Sequence, residues 1–114
     1  ATLGARPVSA VLYSHSHGDH FGGVRGVIDE AEVKAGRVPI IAPKGFMEEA
    51  TSENVMAGNA MSRRASFQFG TALVPGPAGQ MGSGIGKGLS AGTLSLIPPT
   101  DIVAATGETR VVDG

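Results

Sequence analysis

An apolar segment that ends in a cluster of histidines constrains this chain more than any other feature. Residues 8–13 read VSAVLY, an apolar run that predicts a buried strand. Residues 14–23 follow as SHSHGDHFGG and contain all three histidines of the chain. Imidazoles and a carboxylate placed directly after a strand predict several metal ligands in one loop at the edge of a sheet.

The spacing within this loop predicts two groups of ligands. Alternate side chains of an extended segment point the same way, so His15 and His17 can face one point. Gly18 accepts backbone angles that other residues resist, which lets the chain turn. Asp19 and His20 can then face a second point about 3.5–4 Å away, the separation used by two-metal hydrolases. The alternative for Asp19 alone is a carboxylate that caps the turn.

The donor atoms of the loop indicate which metals would bind. Imidazole nitrogen and carboxylate oxygen suit zinc, and also manganese or iron. The chain has no cysteine, so a thiolate site is excluded and the redox compartment stays undecided. Three histidines within six residues, with none in the other 108, are hard to attribute to chance.

The segment from His15 to His20, HSHGDH, resembles the HxHxDH signature of the metallo-β-lactamase superfamily. Five further segments resemble the linear alkylsulfatase branch, so that the similarity covers nearly the whole chain: residues 21–27, 38–47, 52–55, 60–65 and 92–100. The resemblance implies an α/β fold, the αββα sandwich, with a dinuclear metal centre at one edge. Residues 1–114 would form part of that catalytic domain, without its dimerisation and carboxy-terminal domains.

The resemblance also implies an activity and a set of site residues. The activity is the hydrolysis of a linear alkyl sulfate ester to an alcohol and sulfate by a water that two zinc ions activate. His15 and His17 would hold the first ion, and Asp19 and His20 the second. Asp19 would also act as the catalytic residue that orients the hydroxide.

The four ligands in this loop are too few for two zinc ions, which need about six or seven. The resemblance implies that the remaining ligands, a histidine and two acidic residues, lie downstream of this chain, and no histidine follows His20 within it. We expect the full-length protein to be the enzyme, as a homodimer, and the isolated chain to be weak or inert. Eighteen glycines and only five aromatic residues are also thin material for a self-sufficient core.

Two alternative functions stay open. The first is another hydrolase of the same fold, such as a thioesterase, a lactonase or a β-lactamase, because the metal motif does not select a substrate. The second is a metal-binding module without turnover.

Charge and hydropathy restrict the partners. The formal net charge is −1, from nine basic and ten acidic residues, so there is no electrostatic basis for binding nucleic acid. No apolar run approaches the roughly 20 residues that a membrane span requires. A small-molecule substrate is the expected partner. The resemblance is compatible with a periplasmic or secreted protein, but the sequence leaves the location unknown.

The remaining segments predict the following elements: a helix over residues 22–33, a strand over 38–42, two helices over 45–70 hinged near Gly58, a glycine-rich lid or substrate wall over 74–92, a strand over 93–97, and a hairpin of 102–105 with 110–112. Helix spacing predicts that Glu48, Glu49 and Glu53 are surface charges rather than metal ligands. Arg63 and Arg64 are expected on a solvated helix face, and a sulfate clamp is the alternative.

Overall fold

A computed structural model of the chain describes residues 4, 6–84, 86 and 92–114. Its elements in chain order are β1 (Val11–Leu12), α1 (Gly18–Phe21), a 3₁₀ turn (Val24–Gly26), α2 (Glu30–Lys34), β2 (Ile40–Pro43), α3 (Phe46–Thr51), a π-helical turn (Ser52–Met56), α4 (Gly58–Phe69) and β3 (Asp101–Val103). Among the described residues, no helix is long and apolar enough to cross a membrane.

The three strands form one parallel sheet in the order β1-β2-β3. Val11 pairs with Ile40 at one side of β2, and Ile41 pairs with Asp101 at the other. Parallel neighbours require crossover connections, and the helices of this chain lie in those connections. The carboxyl ends of all three strands therefore meet at the same edge of the sheet, and the histidine-rich loop follows β1 at that edge.

The core packs the sheet against the helices, and an aromatic group lies at its centre. The Tyr13 ring stacks on Phe46 with centroids 4.9 Å apart, and Phe21 meets Phe46 edge-on at 5.6 Å. The Tyr13 hydroxyl donates to the Ile97 carbonyl at 3.1 Å, and burial raises the pKa of Tyr13. Tyr13 and Phe21 lie just outside the two ends of the histidine-rich segment, so the core fixes both ends of the loop. The buried hydrophobic cluster comprises Tyr13, Phe21, Val24, Ile28, Val33, Val38, Ile40, Ala42, Phe46, Ala50 and Ile97.

Several predicted elements are present with changed limits. The first strand spans two residues rather than the whole of residues 8–13, and the second spans Ile40–Pro43 rather than residues 38–42. The predicted helix over 22–33 is a 3₁₀ turn followed by α2, which begins after Asp29, whose carboxylate accepts from the Ala31 amide at 3.0 Å. The two predicted helices near Gly58 are confirmed as α3 and α4, since α4 begins at Gly58.

The predictions for the last third of the chain were wrong in two places. Residues 93–97 form no strand; the Ser95 amide donates instead to the Gly22 carbonyl at 2.8 Å. Pro98 and Pro99 lack the amide protons that a strand ladder needs, so pairing starts after them, where the Thr100 amide donates to Ile40 at 2.9 Å. The predicted strand over 102–105 is present with changed limits as β3, Asp101–Val103, but the predicted hairpin is absent because β3 pairs with β2 in parallel and residues 110–112 form no strand. The glycine-rich segment includes residues 85 and 87–91, which lie outside the described residues.

Candidate metal centre

The histidine-rich loop changes from extended to helical backbone between His17 and Asp19. The Tyr13 amide donates to the Ile41 carbonyl at 2.9 Å, which continues the pairing of β1 with β2 up to the start of the loop. His17 has extended backbone angles, φ −68° and ψ 130°, and α1 begins at the next residue. The sequence predicted an extended segment from His15 to His17, but His15 and Ser16 form a bend and only His17 has extended angles, so the loop presents His15 from the bend, His17 from an extended residue, and Asp19 and His20 from α1.

The structure brings the side chains of this loop together at the sheet edge. His15 Nε2 lies 3.2 Å from His17 Nδ1, and Asp19 Oδ2 lies 3.5 Å from His20 Nε2. The His15 ring is central, with centroid distances of 4.7 Å to His17 and 4.2 Å to His20. The side chains of His17, Asp19 and His20 are 50–62% exposed, so a metal ion or a small molecule can reach them.

The first pair fits a shared metal ion. Two nitrogens bonded to a tetrahedral zinc ion at 2.0–2.1 Å lie about 3.3 Å apart, close to the 3.2 Å between His15 Nε2 and His17 Nδ1. Within the described part of the chain, no three His, Asp or Glu side chains form a complete set of ligands around one point. The loop therefore provides nitrogen and oxygen donors that suit zinc in two pairs, His15 with His17 and Asp19 with His20. A metal ion bound to either pair would need further ligands.

Gly18 is required for space rather than for its backbone angles. The sequence predicted angles that other residues resist, but Gly18 has no positive φ angle. A Cβ atom at Gly18 would lie 2.9 Å from Asn54 Oδ1 and 3.3 Å from the methyl groups of Leu94. The loop thus packs against two distant segments that meet at this glycine.

Glu53 contacts the loop, although helix spacing predicted a surface charge. Its Oε1 lies 3.1 Å from His17 Nε2, and its Oε2 accepts from the Ser16 hydroxyl at 2.8 Å. The sequence carries no signal for this contact, because it depends on the π-helical turn that interrupts the two helices. Glu48 and Glu49 are exposed as predicted, and so are Arg63 and Arg64 on α4.

The family described as Metallo-beta-lactamase superfamily matches residues 1–111. The chain belongs to the metallo-β-lactamase superfamily. Membership confirms the predicted α/β class and the partial superfamily fold, and it implies metal binding, which in this superfamily is typically of zinc.

The relatives within the metallo-β-lactamase superfamily are sulfatases. The chain is 64% identical over 109 residues to a linear primary-alkylsulfatase of Pseudomonas sp and 53% identical over 109 residues to the alkyl/aryl-sulfatase BDS1 of Saccharomyces cerevisiae. The solved structure of the stereoselective inverting sec-alkylsulfatase Pisa1 from Pseudomonas sp. superposes with a TM-score of 0.84 at 48% identity.

The coverage of these matches is unequal. They cover 96% of this chain but only 16% and 17% of the two sulfatase sequences and 18% of the Pisa1 chain. The chain thus spans about a sixth of the length of the curated relatives it matches. The resemblance to the linear alkylsulfatase branch that the sequence indicated is confirmed at the level of this segment.

Proposed function

We propose that the full-length protein carrying this chain is a metal-dependent hydrolase that cleaves linear alkyl sulfate esters to an alcohol and sulfate. The observation that carries the proposal is the 64% identity to a linear primary-alkylsulfatase over 96% of the chain, histidine-rich loop included. The pairing of His15 Nε2 with His17 Nδ1 at 3.2 Å supports a metal-dependent reaction. Two zinc ions are proposed, completed by ligands outside this chain.

The four candidate ligands of the loop act as two pairs in this proposal. His15 and His17 hold the first ion through Nε2 and Nδ1, and Asp19 and His20 hold the second. Zinc at such a site supplies charge stabilisation for the sulfate group and lowers the pKa of a water molecule toward neutrality. Asp19 Oδ2 faces His20, so Oδ1 is the atom we assign to accept a hydrogen bond from the attacking water and orient it.

The test is sulfate release from dodecyl sulfate by the full-length protein, measured by ion chromatography. We expect activity that is lost on treatment with a chelator and restored by zinc. His17→Ala should abolish activity and lower the bound zinc from two ions toward one, whereas Gln68→Ala, an exposed position on α4, should keep activity and both ions. Zinc binding with no hydrolysis of any sulfate ester would contradict the proposal and favour a metal-binding module. Turnover of a thioester, a lactone or a β-lactam instead of dodecyl sulfate would also contradict it.

A secondary alkyl sulfate is the second candidate substrate. The chain is 49% identical to an (R)-specific secondary-alkylsulfatase, and Pisa1 is described as a sec-alkylsulfatase. The 64% identity to one linear primary-alkylsulfatase favours primary esters, whereas a second enzyme of that description is only 29% identical, so identity alone does not separate the two substrates. Comparing kcat/KM for 1-octyl and 2-octyl sulfate decides between them, and light scattering on the same sample tests the proposed homodimer.

A further inference from the structure

The carboxylate of Glu53 joins two consecutive residues of the histidine-rich loop. One oxygen lies 3.1 Å from His17 Nε2 and the other accepts from the Ser16 hydroxyl at 2.8 Å. The Glu53 side chain is 26% exposed, about half the value for His17. Both carboxylate oxygens of Glu53 therefore contact the loop.

Asn54, the next residue, holds the backbone of the same loop. Its side-chain nitrogen Nδ2 donates to the Ser16 carbonyl and to the Ala50 carbonyl, both at 2.8 Å. Glu53 and Asn54 lie in the π-helical turn, which is closed by a hydrogen bond from the Ala57 amide to the Ser52 carbonyl at 2.9 Å. Single π-helical turns within helices are frequent at functional sites. Here the turn directs two adjacent side chains at the loop, one to its backbone and one to its side chains.

The contact between Glu53 and His17 Nε2 favours one tautomer of the His17 imidazole. A neutral imidazole carries one N–H, and the other nitrogen has the free lone pair. A carboxylate beside Nε2 accepts a hydrogen bond from it and favours the tautomer with the proton there. Nδ1, the atom 3.2 Å from His15 Nε2, then has the lone pair that a metal requires. Histidines that ligate metals usually donate their other N–H to a carboxylate, carbonyl or water in this way.

We propose that Glu53 is a positioning residue, which accepts a hydrogen bond from His17 Nε2–H and so keeps His17 Nδ1 unprotonated and aimed at the metal. The inference rests on the proposed function only in taking His17 as a metal ligand, and it does not depend on the substrate.

The first test compares zinc affinities of the metal-free full-length protein, measured by competition with a chromogenic chelator. Glu53→Ala should weaken zinc binding about 10- to 100-fold, the usual effect of removing such a partner. Glu53→Gln should recover most of the loss, because its amide oxygen accepts the same hydrogen bond. Glu49→Ala, an exposed glutamate of α3, is the matched control and should bind zinc as the unaltered protein does. An affinity within twofold for Glu53→Ala, or no recovery in Glu53→Gln, would overturn the inference.

The second test needs no substitution at Glu53 and so is independent of any effect on folding. Long-range ¹⁵N–¹H correlations of the metal-free protein labelled with ¹⁵N-histidine, with His17 assigned from the signal missing in His17→Gln, report its tautomer. We expect the Nε2–H form, and the Nδ1–H form would overturn the inference. If zinc and tautomer behave as expected while no sulfate ester is hydrolysed, only the proposed function fails.

Discussion

At the scale of single residues, Gly22 has the closest packing in the loop region. A Cβ atom there would clash with Leu94 Cδ1 and would lie 2.6 Å from the Gly18 carbonyl oxygen, which belongs to the backbone of α1. We expect Gly22→Ala to destabilise the protein by about 1–3 kcal/mol, the usual cost of overpacking. The apparent Tm of the full-length protein, measured by scanning fluorimetry, should fall accordingly.

Gly23 supplies the control for this substitution. A Cβ atom at Gly23 would meet nothing within 4 Å, and its φ of −86° suits an alanine. Gly23→Ala should therefore leave the apparent Tm unchanged. If both variants melted alike, the close contact between Gly22 and Leu94 would not be present in the protein.

Tyr13 is the second residue whose contribution can be measured. Tyr13→Phe keeps the stack on Phe46 but leaves the buried Ile97 carbonyl without its donor, at a cost of about 1 kcal/mol. Burial raises the pKa of Tyr13 above its ordinary value of 10.0, so the folded state holds this proton more tightly than the unfolded state. The stabilisation is complete below pH 10 and is lost as the pH rises further.

The measurement is the difference in apparent Tm between the unaltered protein and Tyr13→Phe from pH 8 to pH 11. The unaltered protein should be the more stable at pH 8, and its advantage should shrink above pH 10. A difference that stays constant over this range would show that Tyr13 does not titrate with unfolding.

At the scale of elements, the sequence predicts those strands and helix boundaries that depend on a local residue pattern. The apolar run before His15, the apolar run that includes Ile40 and the break at Gly58 all mark elements of the structure, because hydrophobic periodicity and glycine act locally. The ladder of β3 and the role of Glu53 depend instead on contacts between distant segments. Residues 93–97 contain three large apolar side chains and Asp101–Val103 only two, yet the hydrogen bond of the Thr100 amide to the Ile40 carbonyl sets the register that makes Asp101–Val103 the strand.

Arg110 connects the segment after β3 to β3 itself, where the sequence predicted a hairpin. Its guanidinium donates to both Asp101 oxygens, at 2.8 and 3.1 Å, and to the Ile102 carbonyl at 3.2 Å. It also lies 3.1 Å from Glu108 Oε2, while Glu108 Oε1 accepts from the Ala105 amide at 2.8 Å. These contacts hold the pKa of Asp101 below its usual range.

Removing this link should open the segment after β3 without unfolding the sheet. In Arg110→Ala we expect the amides of Ala104 and Ala105 to exchange with deuterium faster, because Glu108 loses the cation that orients it. Mass spectrometry of the full-length protein at neutral pH measures this, with Arg63→Ala as the control on the exposed face of α4. Unchanged exchange at Ala105 would show that Arg110 contributes nothing to order there.

Because the pKa of Asp101 is lowered, the ion pair between Arg110 and Asp101 should weaken as the pH falls through that lowered pKa.

At the scale of the whole molecule, the described chain is larger than a self-contained domain of its length. Its radius of gyration is 17.3 Å, against about 13 Å for a compact domain of this length. Many large apolar side chains are exposed, among them Leu12 on β1 and, at 92% exposure, Phe67 on α4. No residue of α4 is buried, and its apolar side chains Met61, Ala65 and Phe69 are only half-buried within the described part of the chain.

These features predict how the chain behaves when it is produced alone. The buried cluster comprises only eleven residues of the described chain, and the sheet is only three strands wide. The free energy gained by removing apolar surface from water is then small compared with the free energy cost of the conformational entropy lost on folding. We expect the isolated 114 residues to bind a hydrophobic dye strongly and to melt without a sharp transition, whereas the full-length protein should do neither. The contrary outcome is a cooperative melt of the isolated chain, with a radius of gyration near 13 Å by small-angle scattering. It would show that α4 and the sheet pack within these residues. The expectation that the chain is part of a larger catalytic domain would then lose its physical basis.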